Sequence, residues 1–272
     1  MIAIVDYGRG NLRSVQKSLS RSLGEWGDRG CGAQTSSLPS SQASFDSLRS
    51  CGTAPATPYR PTRPASASAE DAAQIPAPVV DFVVSDEAEV LRGAEALVLP
   101  GVGAFGDAMR ALRETGLDEL LCERAGAGVP LLGICLGMQL LFERSFEFGE
   151  HEGLGLIPGE VRRFDEGDGA GDSEGGALKV PHIGWNVAEP RAESSGAALF
   201  ADVPAQSYFY FVHGYYCAPR DDTDVLATTS YGHSFASAVA HDNIYGLQFH
   251  PEKSSAAGLQ LLHNFVALIE SE

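Results

Sequence analysis

Basic charge is scarce in this chain of 272 residues. Lys and Arg number 19 against 36 Asp and Glu, a formal net charge of -17. An acidic surface repels phosphate backbones and anionic lipid, which excludes nucleic acid and membrane surfaces as natural partners. Long apolar runs are missing too: none reaches the roughly 18 residues that a spanning helix needs. The start, Met1-Ile2-Ala3-Ile4-Val5-Asp6, has no basic leader and does not read as a signal peptide. Cysteine is sparse: Cys31, Cys51, Cys122, Cys135 and Cys217 form an odd set with no CxxC pair. That argues against a disulfide scaffold or zinc knuckle and fits a reducing, cytoplasmic setting. The seven His show no HxxxH or HExxH spacing, so no metal is expected.

What is present is apolar patterning. Hydrophobic residues make up 44% of the chain, enough for a sizeable core. Short apolar runs (2–5, 81–84, 96–99, 131–134) alternate with helical patterns over 11–23, 105–125 and from 135 through Phe142. This alternation predicts an α/β fold, a mostly parallel central sheet flanked by helices. Further strands are predicted at 208–212, 225–229, 235–240 and 244–249, and a closing helix carries Leu259, Leu262, Val266 and Ile269. The chain reads as a single domain over 1–272, interrupted at 24–80. That segment holds 7 of the 15 prolines and reads as a disordered Pro/Ser/Ala-rich insertion; a Pro-spaced recognition segment is the alternative. Residues 165–177, rich in Gly and acids, read as a flexible loop.

The strongest local signal is Pro130-Leu131-Leu132-Gly133-Ile134-Cys135-Leu136-Gly137-Met138-Gln139. A buried strand runs into a turn that carries Cys135 between glycines, and a helix follows. This is the logic of a nucleophile elbow with a thiol in place of a hydroxyl. A helix N-terminus favours the thiolate, which is the nucleophile. The Leu136 N–H would aim at a developing oxyanion. A buried structural cysteine is the bland alternative, and it is the reading given to the other four. Near the C-terminus, Phe249-His250-Pro251-Glu252 puts His250 and Glu252 on one side of an extended strand end. A thiol nucleophile needs a base, and the base needs an orienting group; His250 and Glu252 supply both.

Gly101-Val102-Gly103-Ala104-Phe105-Gly106 fits the GxGxxG dinucleotide pattern. The next strand ends in Cys135 rather than an acid that could hold a ribose, so no cofactor is expected. The loop better serves as a source of backbone N–H groups for an anion beside Cys135.

Together these segments resemble the class I glutamine amidotransferases, and among them the HisH-type glutaminase subunits of imidazole glycerol phosphate synthase. The matching stretches are IAIVDYGRGNL (2–12), LVLPGVGAFGDAM (97–109), PLLGICLGMQLLFERS (130–145), GLGLIPGEV (153–161), PHIGWN (181–186), YFYFVHGYY (208–216) and FHPEKSS (249–255). The resemblance implies a flavodoxin-like architecture and hydrolysis of glutamine by Cys135, His250 and Glu252. It places oxyanion donors at Leu136 and within Gly101, Val102 and Gly103, and substrate contacts at Gln139, Glu147, Gly214 and Tyr215. It implies a heterodimer with a HisF-type (β/α)8-barrel cyclase. Ammonia would pass through that barrel to make imidazole glycerol phosphate and an aminoimidazole carboxamide ribotide. Asn11, His182, Trp185, Tyr210 and Lys253 fall at the implied partner interface. Two departures stand out. The 24–80 stretch has no counterpart in the family pattern, and Gly214 occupies a position usually held by Ser or Thr. A stand-alone Cys hydrolase of the same fold, or an inactive binding subunit, are the competing readings.

Overall fold

The computed structural model describes residues 1–27, 80–164, 178–194 and 196–270. The 24–80 insertion falls almost wholly outside these residues, as does the 165–177 loop with the reading given to it.

The order of elements is β1 (Ile2–Val5), α1 (Leu12–Gly27), β2 (Phe82–Ser85), α2 (Ala88–Arg92), β3 (Ala96–Gly101), α3 (Phe105–Thr115), α4 (Leu117–Gly126), β4 (Leu131–Cys135) and α5 (Leu136–Leu140). Then follow β5 (Phe142–Ser145), β6 (His151–Glu152), β7 (Ile157–Arg163), β8 (His182–Val187), β9 (Glu189–Pro190), β10 (Tyr208–His213) and β11 (Tyr215–Pro219). The chain closes with β12 (Val225–Tyr231), β13 (His233–His241), β14 (Ile244–Leu247) and α6 (Ser255–Glu270).

Strands β2-β1-β3-β4-β14 form the parallel centre of the main sheet. Counting parallel strands alone, this is the 2-1-3-4-5 order of flavodoxin-like folds, with ligands expected outside the carboxyl ends of the strands. The second half of the chain adds β13, β11 and β7 antiparallel to one edge. The expected α/β architecture is therefore found, with an antiparallel extension. A separate antiparallel ribbon pairs β8 with β10.

The central strands are apolar on both faces because both are covered. Ala3, Val5, Leu97, Leu99 and Leu131 enter one core with α3 and α4. Ile2, Ile4, Val98, Leu132 and Ile134 enter the other, with α1 and α6. Each such fully buried Val, Leu or Ile side chain contributes roughly 1.5–3 kcal/mol of hydrophobic stabilisation. Among the described residues, no helix is long and apolar enough to cross a membrane.

Three expectations change. The helix expected over 105–125 is two, broken at Gly116, whose φ of 70° is left-handed. A glycine adopts that conformation without Cβ strain and so ends α3. The helix expected through Phe142 stops at Leu140. The carbonyls of Leu140, Leu141 and Phe142 accept instead from the N–H groups of Leu154, Ile157 and Gly155, and β5 pairs with β7. Third, His250 and Glu252 do not share one face of a strand. Pro251–Lys253 form a 3-10 turn, and the turn rather than strand alternation brings the two side chains together.

Candidate active site

Strand β4 delivers Cys135 at the carboxyl edge of the parallel sheet. Its backbone has φ 56° and ψ -112°, a conformation that non-glycine residues rarely adopt. The flanking glycines make this corner possible. A Cβ on Gly137 would lie 1.8 Å from the Leu99 carbonyl oxygen, and one on Gly133 would lie 2.7 Å from the Gly137 oxygen. Helix α5 then crosses the strand at a distance that only hydrogen can fill. The elbow read from the sequence is present, but α5 spans just over one turn, so its macrodipole is much smaller than the longer helix would give.

His250 lies at the end of the adjacent strand region and is buried, as is Cys135. Its Nδ1 donates to Glu252 Oε1 at 2.8 Å, and the Glu252 side chain is 1% exposed. Burial alone would lower His250. The Cys135 sulfur and the Glu252 carboxylate, as hydrogen-bond acceptors and as negative charges, outweigh it and raise His250 to about 9. His250 Nε2 has no other hydrogen-bond partner among the described residues, which leaves it to the Cys135 sulfur. The backbone around it is tied down: His250 N–H donates to Tyr210 O at 2.9 Å, and Ser254 Oγ donates to His250 O at 2.6 Å.

A cavity of about 340 Å³ opens on this pair. Val102, Gly103, Cys135, Leu136, Gln139, Glu147, Gly214, Tyr215 and His250 all line it, so the structure gathers most of the residues expected from sequence. Gly101 does not line it. A Cβ there would meet Tyr7 Oη at 2.6 Å and Gly137 N at 2.9 Å. Gly101 thus packs closely behind the loop. Glu252 stands behind His250 rather than at the wall.

Gln139 Nε2 donates to Tyr215 O and Gln248 Oε1, each at 3.1 Å. Glu147 sits in the β5–β6 connection, and its Oε2 accepts the Phe105 N–H at 2.6 Å, closing the N-terminus of α3. Burial raises the Glu147 carboxyl, with Asp107 adding to the rise; the Phe105 N–H and His151 oppose it. Its carboxylate at the cavity wall is an acceptor for a cationic group. Gly214 has room to spare: a Cβ would contact Val180 Cγ1 at 3.6 Å and Pro181 Cβ at 3.9 Å, ordinary distances.

Sequence reasoning missed Pro181, Val212 and His213, which also line the cavity. It also missed Tyr7, which is buried beneath Gly101 and whose hydroxyl burial pushes upward. The alternation in Tyr208–His213, with Phe209, Phe211 and His213 inward, was the available signal for His213.

The residues expected at a partner interface divide. Asn11, Trp185 and Lys253 are exposed, and Tyr210 is half-buried. Trp185 and Tyr210 pack at 6.0 Å, with Lys253 Nζ 5.6 Å from the Tyr210 ring. Ile183 and Tyr208 extend this apolar ribbon face, each 60% exposed. His182 is different. It is buried on the inner side of β8, stacked on Tyr231 and Phe211, and cannot touch a partner directly.

The arrangement suits acyl transfer to a thiol: a nucleophile at an elbow, a base oriented by a carboxylate, and loop amides at a small cavity. Comparison with known proteins agrees. The family model described as "Glutamine amidotransferase class-I" matches residues 72–269. A protein named imidazole glycerol phosphate synthase subunit HisH from Salinibacter ruber is 50% identical over 69% of this chain and 84% of its own length. One of the same name from Sulfurimonas denitrificans is 41% identical over 97% of each chain. A crystal structure of a glutamine amidotransferase superposes with a TM-score of 0.59 at 16% identity, covering 99% of this chain and all of that one, a likeness of fold alone. With the elbow, the buried histidine–glutamate pair and these matches, the chain belongs to the class I glutamine amidotransferase family.

Proposed function

We infer that this chain is the glutaminase subunit of an imidazole glycerol phosphate synthase. The observation that carries the chemistry is the His250–Glu252 pair buried beside Cys135 at the wall of one cavity. The many relatives named HisH carry the pathway assignment.

The thiol proton already resides on His250 in the Cys135–His250 pair, and Cys135 Sγ attacks the carboxamide carbon of glutamine. Glu252 holds the imidazole in place and balances its charge. Amides at Leu136 and in Val102-Gly103 accept the negative charge that builds on the carboxamide oxygen. His250 returns the proton to the leaving nitrogen, ammonia departs, and a thioester remains. His250 then removes a proton from water, which attacks the thioester and releases glutamate. Gln139, Glu147 and the Gly214–Tyr215 backbone hold the substrate, with Glu147 accepting its α-ammonium group.

The partner is a HisF-type (β/α)8-barrel cyclase, bound as a heterodimer through the face that bears Trp185, Tyr210, Lys253 and Asn11. Large amphipathic rings of this kind are typical interface anchors. Ammonia passes from Cys135 into the barrel. The chain acts as one domain, since β1 pairs with β2 and β3 across the 24–80 stretch. It works in the reducing cytoplasm, where Cys122, Cys135 and Cys217 stay free.

The test is glutamate formation by the purified chain, with and without the cyclase and its ribonucleotide substrate. Strong stimulation by the partner is expected. Undiminished ammonia release by a Cys135→Ala variant would remove the mechanism. Robust unassisted hydrolysis with no cyclase binding would replace the pathway assignment by a stand-alone hydrolase.

A further inference from the structure

Two buried histidines outside the catalytic pair form a hydrogen-bonded chain whose direction is fixed from both ends. At the outer end, the Val187 N–H donates to Asn186 Oδ1 at 2.8 Å. This orients the amide so that Nδ2 faces His182 Nε2 at 3.4 Å, while also donating to Ser230 O at 3.0 Å. His182 Nε2 is therefore the acceptor, and its proton sits on Nδ1. At the inner end, the Tyr215 carbonyl can only accept, so His213 Nδ1, at 2.7 Å from it, carries the proton. His213 Nε2 is then bare and accepts from His182 Nδ1 at 3.1 Å. The two ends were assigned independently, and they require the same pair of tautomers.

The chain ends on a carbonyl that matters. Tyr215 O also receives Gln139 Nε2–H, and Gly214, Tyr215, Gln139 and His213 all line the cavity. Gly214 leaves this corner of the backbone without a side chain to hold it, and nothing crowds its Cα. The rings themselves are locked by packing: His182 lies between Tyr231 (4.0 Å) and Phe211 (4.9 Å), and His213 lies against Phe164 (5.4 Å).

We propose that His182 and His213 are positioning residues for the glutamine substrate, fixing the Gly214–Tyr215 backbone at the cavity wall through a one-way hydrogen-bonded chain anchored at Asn186. This rests on the glutaminase reading above. His213 acts through the Tyr215 carbonyl, so its loss weakens substrate binding and leaves the chemical step at Cys135 largely intact. Burial lowers both imidazoles, His182 to about 4 and His213 to about 3, so both are neutral under working conditions, as the assigned tautomers need.

The test uses the full chain and the alkylating glutamine analogue 6-diazo-5-oxonorleucine. Labelling at Cys135 is followed by mass spectrometry, and the concentration dependence separates KI from kinact. His213→Gln keeps a group that can bond His182 but removes the donor to Tyr215 O. Its KI is expected to rise about 5- to 20-fold, the loss of roughly one hydrogen bond, with kinact within about threefold. His213→Asn keeps a donor near the Nδ1 position, and its KI stays within about threefold of the parent. His182→Phe preserves the ring stack and removes the chain's middle link, so it raises KI even if His213→Gln fails to fold. The proposal is overturned if folded His213→Gln and His182→Phe keep the parent KI. It is equally overturned if His213→Asn is impaired as much as His213→Gln, since ring volume would then be the cause. Absence of labelling in the parent chain, both alone and with the cyclase and its ribonucleotide present, is a distinct result: it removes the glutaminase reading itself.

Discussion

Replacing Glu252 by Gln isolates the charge of the catalytic carboxylate. The Glu252 side chain is 1% exposed and accepts from His250 Nδ1 at 2.8 Å, so an isosteric amide oxygen can keep that bond. What disappears is the negative charge against the imidazolium. A hydrogen bond to a charged group contributes about 1.5–3 kcal/mol against about 0.5–1.5 for a neutral one. Adding the lost field on a buried cation brings the transition-state penalty to roughly 2–3 kcal/mol, a fall in kcat/KM of about 30- to 150-fold. A second signature separates this cause from misfolding. His250 is held at about 9 partly by Glu252, and loss of that charge moves its titration down toward its ordinary 6.5. The alkaline limb of the pH–rate profile should follow it to lower pH. The assay is glutamate release across pH 5.5–10, alongside a thermal melt to confirm folding. A Gln variant within threefold of the parent, with an unmoved alkaline limb, would refute the role given to Glu252.

Three further outcomes follow from the geometry. Gly137→Ala forces a Cβ to within 1.8 Å of the Leu99 carbonyl oxygen, so α5 must lift from β3; a drop of several degrees in Tm and near-complete loss of glutaminase activity are expected. Gly214→Ser finds room beside Val180 and Pro181; stability should change by less than about 0.5 kcal/mol, and steady-state kinetics should show a glutamine KM equal to or below the parent's. The third concerns acid. Burial holds His182 at about 4 and His213 at about 3, below their unfolded value near 6.5. The unfolded chain thus binds more protons between pH 6.5 and about 3, and stability is complete above that window and falls as pH drops through it, by on the order of 3–5 kcal/mol per histidine at the acid limit. His250, raised rather than lowered, contributes in the opposite sense around pH 6.5 and adds no slope once pH falls about a unit below that, where it is protonated in both states. Denaturant titrations at pH 7 and 4.5 measure the loss, and His182→Asn/His213→Asn should flatten it.

Much of the chemistry was legible because it is local. The run from Pro130 to Gln139 contains its own strand, corner and helix start, and the glycines at 133 and 137 announce a backbone approach that the structure then displays. The apolar runs at 2–5, 96–99 and 131–134 are buried on both faces, and such strands advertise themselves without their partners. His250 and Glu252 are two residues apart, so their pairing needed no long-range contact, although the 3-10 turn that achieves it was not foreseen. Other features depend on residues distant in sequence. Helix α5 is cut short by N–H groups from 154–157, and no property of 136–142 records that competition. His182 carries the same motif whether it faces solvent or core; only pairing of β8 with β10, and the stack of Phe211 and Tyr231 around it, turns the ring inward. His213 joins the cavity for the same reason. Covalently local geometry fixed the nucleophile, its base and the sheet that carries them. The long-range pairing of strands, which no short segment encodes, decided which polar groups are buried, and so which histidines support the site.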